Sequence, residues 1–198
     1  MSAAAAAPSP EERVRASVLG MILFIASETM FFGGLFAALF TLRAQAPAWP
    51  PPGTPAIDLP LPLVLTGVLL ASSATQHLAL EAGRAGDVRG AGRWLGCTVA
   101  LGLLFLLGEG YEWAAFFNEG FTVSTNVFGT LFFTITGFHG LHLAAGLAIL
   151  LLAGARARRA AARGRRVAAL ESATLYWHFV DGVWILVVTS LYVLTALA

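Results

Sequence analysis

The chain has 198 residues, 58% of them hydrophobic and only 12% charged, and its formal net charge is +1. That charged fraction is roughly half of what soluble domains carry, which excludes an ordinary soluble enzyme. All twelve basic residues are Arg, and they cluster at the ends of apolar runs rather than in a patch, which leaves no basis for nucleic-acid binding. The single cysteine, Cys97, lies inside an apolar run, so neither a disulfide framework nor a cysteine metal cluster can form within the chain.

A hydrocarbon core about 30 Å thick is crossed by roughly 20 helical residues. In chain order, five stretches meet that length: Val18–Leu42, Leu61–Leu80, Trp94–Phe117, Val127–Gly154 and Ala173–Ala198. The expected fold is an all-α integral membrane bundle of five transmembrane helices. Residues 1–16 form a cytoplasmic, partly disordered N-terminal segment, Ala/Pro-rich from Met1 to Pro10, and 17–198 form the membrane domain. The first span is too long for a signal peptide, follows Glu11 and Glu12, and lacks a small-residue cleavage site, so it reads as retained.

The link from Arg43 to Pro60 contains Pro47, Pro50, Pro51, Pro52, Pro55 and Pro60, a density that favours a stiff, extended surface loop. Arg13, Arg15, Arg84, Arg89, Arg93, Arg156, Arg158, Arg159, Arg163, Arg165 and Arg166 fall on one side of the membrane, and only Arg43 on the other. The positive-inside rule then places the N-terminus in the cytoplasm and the C-terminus outside. Span four carries a small residue at every fourth position, Thr136, Gly140, Ala144 and Ala148, a stripe where a neighbouring helix can approach closely.

Ionisable groups inside a bilayer are costly and require a partner or a purpose. Counted from the span ends, Glu28 lies near the middle of span one, level with His139 and His142 of span four. His77, His178 and Asp181 lie in the cytoplasmic third, and Glu109 and Glu112 toward the outer end of span three. Two pairs sit three apart on one helix face, His139 with His142 and His178 with Asp181. A di-iron bundle would need Glu-x-x-His motifs, which never occur, and the four histidines split between two depths, so no metal site is expected. The histidines and Asp181 read as hydrogen-bonding groups between helices or toward lipid heads. Glu28, with no basic residue at its level, should be neutral or tightly hydrogen-bonded.

Three motifs carry a resemblance. Ala26-Ser27-Glu28-Thr29-Met30-Phe31-Phe32, Thr136-Gly137-Phe138-His139-Gly140-Leu141-His142 and Tyr176-Trp177-His178-Phe179-Val180-Asp181-Gly182-Val183-Trp184 resemble, in order, the signatures of subunit III of haem-copper oxidases. Tyr111-Glu112 and His77 through Glu81 also match polar positions of similar members. The likeness runs from about Val18 to the C-terminus.

The resemblance implies a non-catalytic subunit of an aerobic respiratory oxidase, free of haem and copper, which belong to partner subunits. It further implies direct packing on subunit I, a complex with subunit II and other subunits, bound phospholipid, and support of proton uptake and durability during turnover. The expected location is a bacterial inner membrane. Glu28 matches a carboxyl that reacts with hydrophobic carbodiimides. His77, Glu81, Glu112, His139, His142, His178 and Asp181 form the expected intramembrane polar belt. Arg156 and Arg159 match basic residues that contact lipid phosphate. The long form of the family has seven spans and this chain begins at the equivalent of the third. Glu109 also departs from the uncharged polar residue of similar members. The alternatives are a subunit III-like accessory protein of a nitric oxide reductase system and an independent proton-coupled carrier. The electron donor, cytochrome c or quinol, is left open.

Overall fold

In the computed structural model, which describes residues 10–161 and 168–197, five long helices run side by side. The Ala/Pro-rich stretch before Pro10 and the arginines Arg163, Arg165 and Arg166 lie outside the described residues. The helices are α1 (Pro10–Gln45), α2 (Pro60–Arg84), α3 (Val88–Asn118), α4 (Val127–Ala161) and α5 (Ala168–Val187). A π-helical segment, Val188–Val193, and a last turn, α6 (Leu194–Ala196), continue α5. All five are long and apolar enough to cross a membrane, and there is no strand among the described residues.

The helices overrun the apolar stretches because nothing in the flanking residues stops them. Arg89 and Arg93 therefore stand in the first turns of α3, and Arg156, Arg158 and Arg159 in the last turns of α4. The link between α2 and α3 shrinks to Ala85–Asp87. Gly86 turns it with φ +81, and the Asp87 carboxylate caps α3 by accepting from the Gly90 amide at 2.8 Å. The proline-rich loop stays at the surface but is tied down. Trp49 packs edge-on against Phe128 and donates to Thr195 Oγ1 at 3.4 Å, while Asn126 donates to Thr54 Oγ1 at 2.9 Å.

Helix α5 is the hub. It contacts α1, α2 and α4, and its span is 56% buried within the chain against 17% for α1, which makes α1 the peripheral helix. Trp177 and Trp184 of α5 fill the centre together with Phe105, Leu143 and Ile135. In lipid, where packing rather than water exclusion holds helices together, close approach depends on small residues. A Cβ on Gly102 would meet Leu147 and Trp177 at 2.8 Å, and one on Gly146 would meet Trp177 at 3.1 Å.

The small-residue stripe of α4 is only half used. Thr136 is buried, and a Cβ on Gly140 would meet Glu109 at 2.8 Å, but Ala144 and Ala148 are exposed. The contact surface drifts round α4 toward Gly146 and Gly154 because a 3.6-residue turn does not keep a four-residue repeat on one face.

Candidate functional site

The expected belt resolves into separate groups, three of which include a hydrogen bond between helices. Glu28 of α1 meets His142 of α4, with 2.9 Å between Oε2 and Nε2. The other ring nitrogen, Nδ1, lies 2.7 Å from the Phe138 carbonyl. A carbonyl can only accept, so Nδ1 carries a proton and donates to it. Nε2 then either accepts from a protonated Glu28 or, in an imidazolium, donates to the carboxylate. These states differ by one proton moved along a single hydrogen bond.

Aromatic rings wall this pair. Phe31 stacks at 6.0 Å on the His142 ring, Phe32 stands edge-on at 5.0 Å, and the Tyr176 hydroxyl donates to the His142 carbonyl at 3.1 Å. The motifs of three spans thus converge on one proton-sharing contact between the peripheral helix and the bundle. The Glu28 side chain is still 20% exposed, so the pair is reachable from the α1 side.

A second centre joins α2 to α5. The Ser73 hydroxyl donates to Asp181 Oδ2, and His178 Nδ1 lies 2.6 Å from that Ser73 Oγ. Because serine has one hydroxyl proton, His178 must supply the other as an Nδ1–H donor. The remaining Asp181 oxygen is buried without a partner among the described residues. Above and below it the same seam continues: Trp177 donates to Ser72 at 3.1 Å, Gln76 to Thr174 at 2.9 Å, and Trp184 to Thr66 at 2.9 Å. His77 and Glu81 form an exposed pair at 3.8 Å on α2 and take no part in that seam.

The third centre lies toward the outer end of α3. The Tyr192 hydroxyl, in the π-helical segment, donates to Glu112 at 2.6 Å. One extra residue per turn shifts the phase of the helix there, the arrangement often found where a helix must redirect a functional side chain. One turn before Glu112, Glu109 borders a cleft of about 180 Å³ between α3 and α4, lined also by Leu106, Gly110, Trp113, Thr136, Gly137 and Gly140. Its Oε1 has no partner among the described residues. His139, fully buried, lies 5.6 Å from the Phe105 ring and 5.0 Å from that of Trp184, and neither of its nitrogens finds a hydrogen-bond partner among the described residues.

Ser73, Thr66 and Tyr192 were not singled out from the sequence. Serine and threonine spaced along an apolar helix are the available signal, but only packing tells which of them faces another helix. Arg156 and Arg159 are both exposed at the end of α4. Among the described residues no three His, Cys, Asp or Glu side chains come together in a way that could hold a metal ion.

Five helices long and apolar enough to cross a membrane, several of them joined by polar contacts from helix to helix, define a multi-pass, all-α membrane protein. The family model of cytochrome c oxidase subunit III matches residues 11–196. The chain is 41% identical over 179 residues to cytochrome c oxidase subunit 3 of Thermostichus vulcanus, covering 90% of this chain and 87% of that one. It is 40% identical over 178 residues to the Synechocystis protein of the same name, with 89% and 75% covered. It is also 40% identical over 174 residues to a probable cytochrome c oxidase subunit 3 of Mycobacterium leprae, with 88% and 86% covered. This chain belongs to the cytochrome c oxidase subunit III family.

Proposed function

We propose that the chain is the non-catalytic third subunit of a respiratory terminal oxidase, seated directly on subunit I, with subunit II and further subunits completing the complex. In this reading haem and copper, with the oxygen chemistry, reside in the partner subunits. The chain contributes a proton-sharing carboxyl–imidazole pair, a lipid-binding surface and mechanical support for proton uptake. Its bacterial relatives support a place in the bacterial inner membrane. The arginine distribution supports a cytoplasmic N-terminus.

The observation that carries the reading is the Glu28–His142 contact. A lone carboxyl at mid-bilayer is a burden, whereas one bonded to an imidazole can hold and pass a proton with little movement. Glu28 reaches the pair from α1, the least enclosed helix, so the contact also reports whether α1 is seated. The exposed ends of Arg156 and Arg159 are proposed as contacts for lipid phosphate, in keeping with their place at a membrane edge.

The test is purification in mild detergent from native membranes, followed by an optical spectrum, peptide mass spectrometry and oxygen-uptake assay. Co-purification with a many-helix subunit bearing haem, together with oxygen reduction, is the expected result. The donor that sustains turnover then distinguishes a cytochrome c oxidase from a quinol oxidase. A colourless chain without partners would defeat the reading. In the complex, a hydrophobic carbodiimide should label Glu28, and Glu28→Gln should abolish that label while leaving the haem spectrum intact.

A further inference from the structure

We infer that the groove between the start of α3 and the end of α4 is a binding site for a phosphate group, supplied by an anionic lipid. Arg89 and Arg93, one turn apart on α3, and Arg158 on α4 line this groove of about 620 Å³ together with Val88 and Gly92. Two other arginines of the described chain are occupied. Arg84 reaches Glu171 through two nitrogens, at 3.3 and 3.2 Å, and Arg43 donates to the Leu194 carbonyl at 3.0 Å. The three groove arginines have no carboxylate partner among the described residues. Asp87, the nearest acid in sequence, is used as the cap of α3. Residues 160–167 add only Arg163, Arg165 and Arg166, and no acid.

Three guanidinium groups gathered round one concavity repel one another unless an anion joins them. The planar fork of arginine suits the oxygens of a phosphate. The groove is formed where two antiparallel helices reach the same membrane edge, the level at which lipid phosphates lie, and basic pockets between spanning helices there are built to hold anionic headgroups. Exposed Val88 and Trp94 beside it offer apolar surface to the upper part of an acyl chain. Gly92 makes room: a Cβ there would meet Arg158 Nη2 at 2.9 Å. The site is distinct from Arg156 and Arg159, neither of which lines the groove. Two positions along a helix turn the side chain by about 200°, so Arg158 faces away from Arg156. The inference is independent of the reading of Glu28.

Arginine-selective modification with phenylglyoxal, mapped by peptide mass on the purified complex after lipid stripping, tests it. Reloading with phosphatidylglycerol should slow modification of Arg89, Arg93 and Arg158 about tenfold, with phosphatidylcholine protecting far less. Inorganic phosphate at matched concentration separates the sources. If it does not protect, a lipid supplies the phosphate; if it protects equally, the site takes free phosphate and the lipid assignment falls. Equal modification under every condition overturns the site altogether. A Gly92→Leu variant keeps every charge, and so leaves the orientation signal untouched, while filling the groove. It should lose the protection and about one bound anionic lipid per complex, whereas Arg156→Gln should retain protection at the three groove arginines. A Gly92→Leu complex protected as well as the parent would refute the groove as the site.

Discussion

At the scale of single residues, the cost of an unpaired polar group in an apolar medium decides what each substitution does. Among the described residues Tyr192 is the only hydrogen-bond partner of the Glu112 carboxyl, at 2.6 Å, and both are buried. Tyr192→Phe strands the carboxyl and should destabilise the subunit by about 1–3 kcal/mol, whereas Tyr192→Phe combined with Glu112→Leu should recover most of that loss. Retention of the subunit on the complex during a thermal ramp measures both, and additive losses would show that the contact contributes nothing. Ser73 holds two partners, so Ser73→Ala leaves both Asp181 and His178 without one. Its effect should exceed that of Tyr192→Phe in the same assay. For Glu28, the amide of Glu28→Gln can still donate to His142 Nε2, so assembly should survive. Glu28→Leu removes that donor and should weaken seating of α1, read as easier release of the subunit in detergent.

Among the elements, glycine separates helices that touch from helices that face outward. Gly102 and Gly96 both lie on α3, but a Cβ at Gly96 meets nothing within 4 Å, while one at Gly102 runs into Leu147 and the rigid indole of Trp177. Gly96→Ala should therefore stabilise the helix by up to ~1 kcal/mol through its better propensity. Gly102→Ala should cost about 1–3 kcal/mol by overpacking. Opposite signs in the midpoint of thermal dissociation are the expected outcome, and equal shifts would mean that α3 and α5 are less closely packed than described. The π-helical segment belongs to the same scale. Its changed phase presents Tyr192 to α3, which a regular continuation of α5 would not do in the same register.

For the whole molecule, topology is the property to test. With Cys97 replaced by Ser, a cysteine at Thr54 should react with a membrane-impermeant maleimide from outside the cell, and one at Ala85 only from the cytoplasmic face. The reverse pattern would invert the orientation and would move Arg156, Arg159 and the arginine groove to the outer leaflet. Because α1 contributes only one narrow face to the bundle, its remaining apolar surface, including Leu19, Leu23 and Met30, must be covered by lipid or by another subunit.

Chain length, composition and apolar run length by themselves determined the number of spans, because the bilayer imposes a fixed thickness on any helix that crosses it. The three polar motifs were equally legible, as was the shared depth of Glu28 and His142, since depth is a count of residues along a straight helix. Pairing was not. That His142 rather than His139 takes Glu28, that Ser73 joins His178 to Asp181, and that Tyr192 finds Glu112 depend on how each helix is rotated about its own axis. The same holds for the arginines, where position in the sequence marks a membrane edge but only the crossing of α3 and α4 gathers Arg89, Arg93 and Arg158 around one groove. Rotation is set by the sum of many small packing contacts across the bundle, such as Gly102 beneath Trp177, and no local stretch of sequence contains that sum.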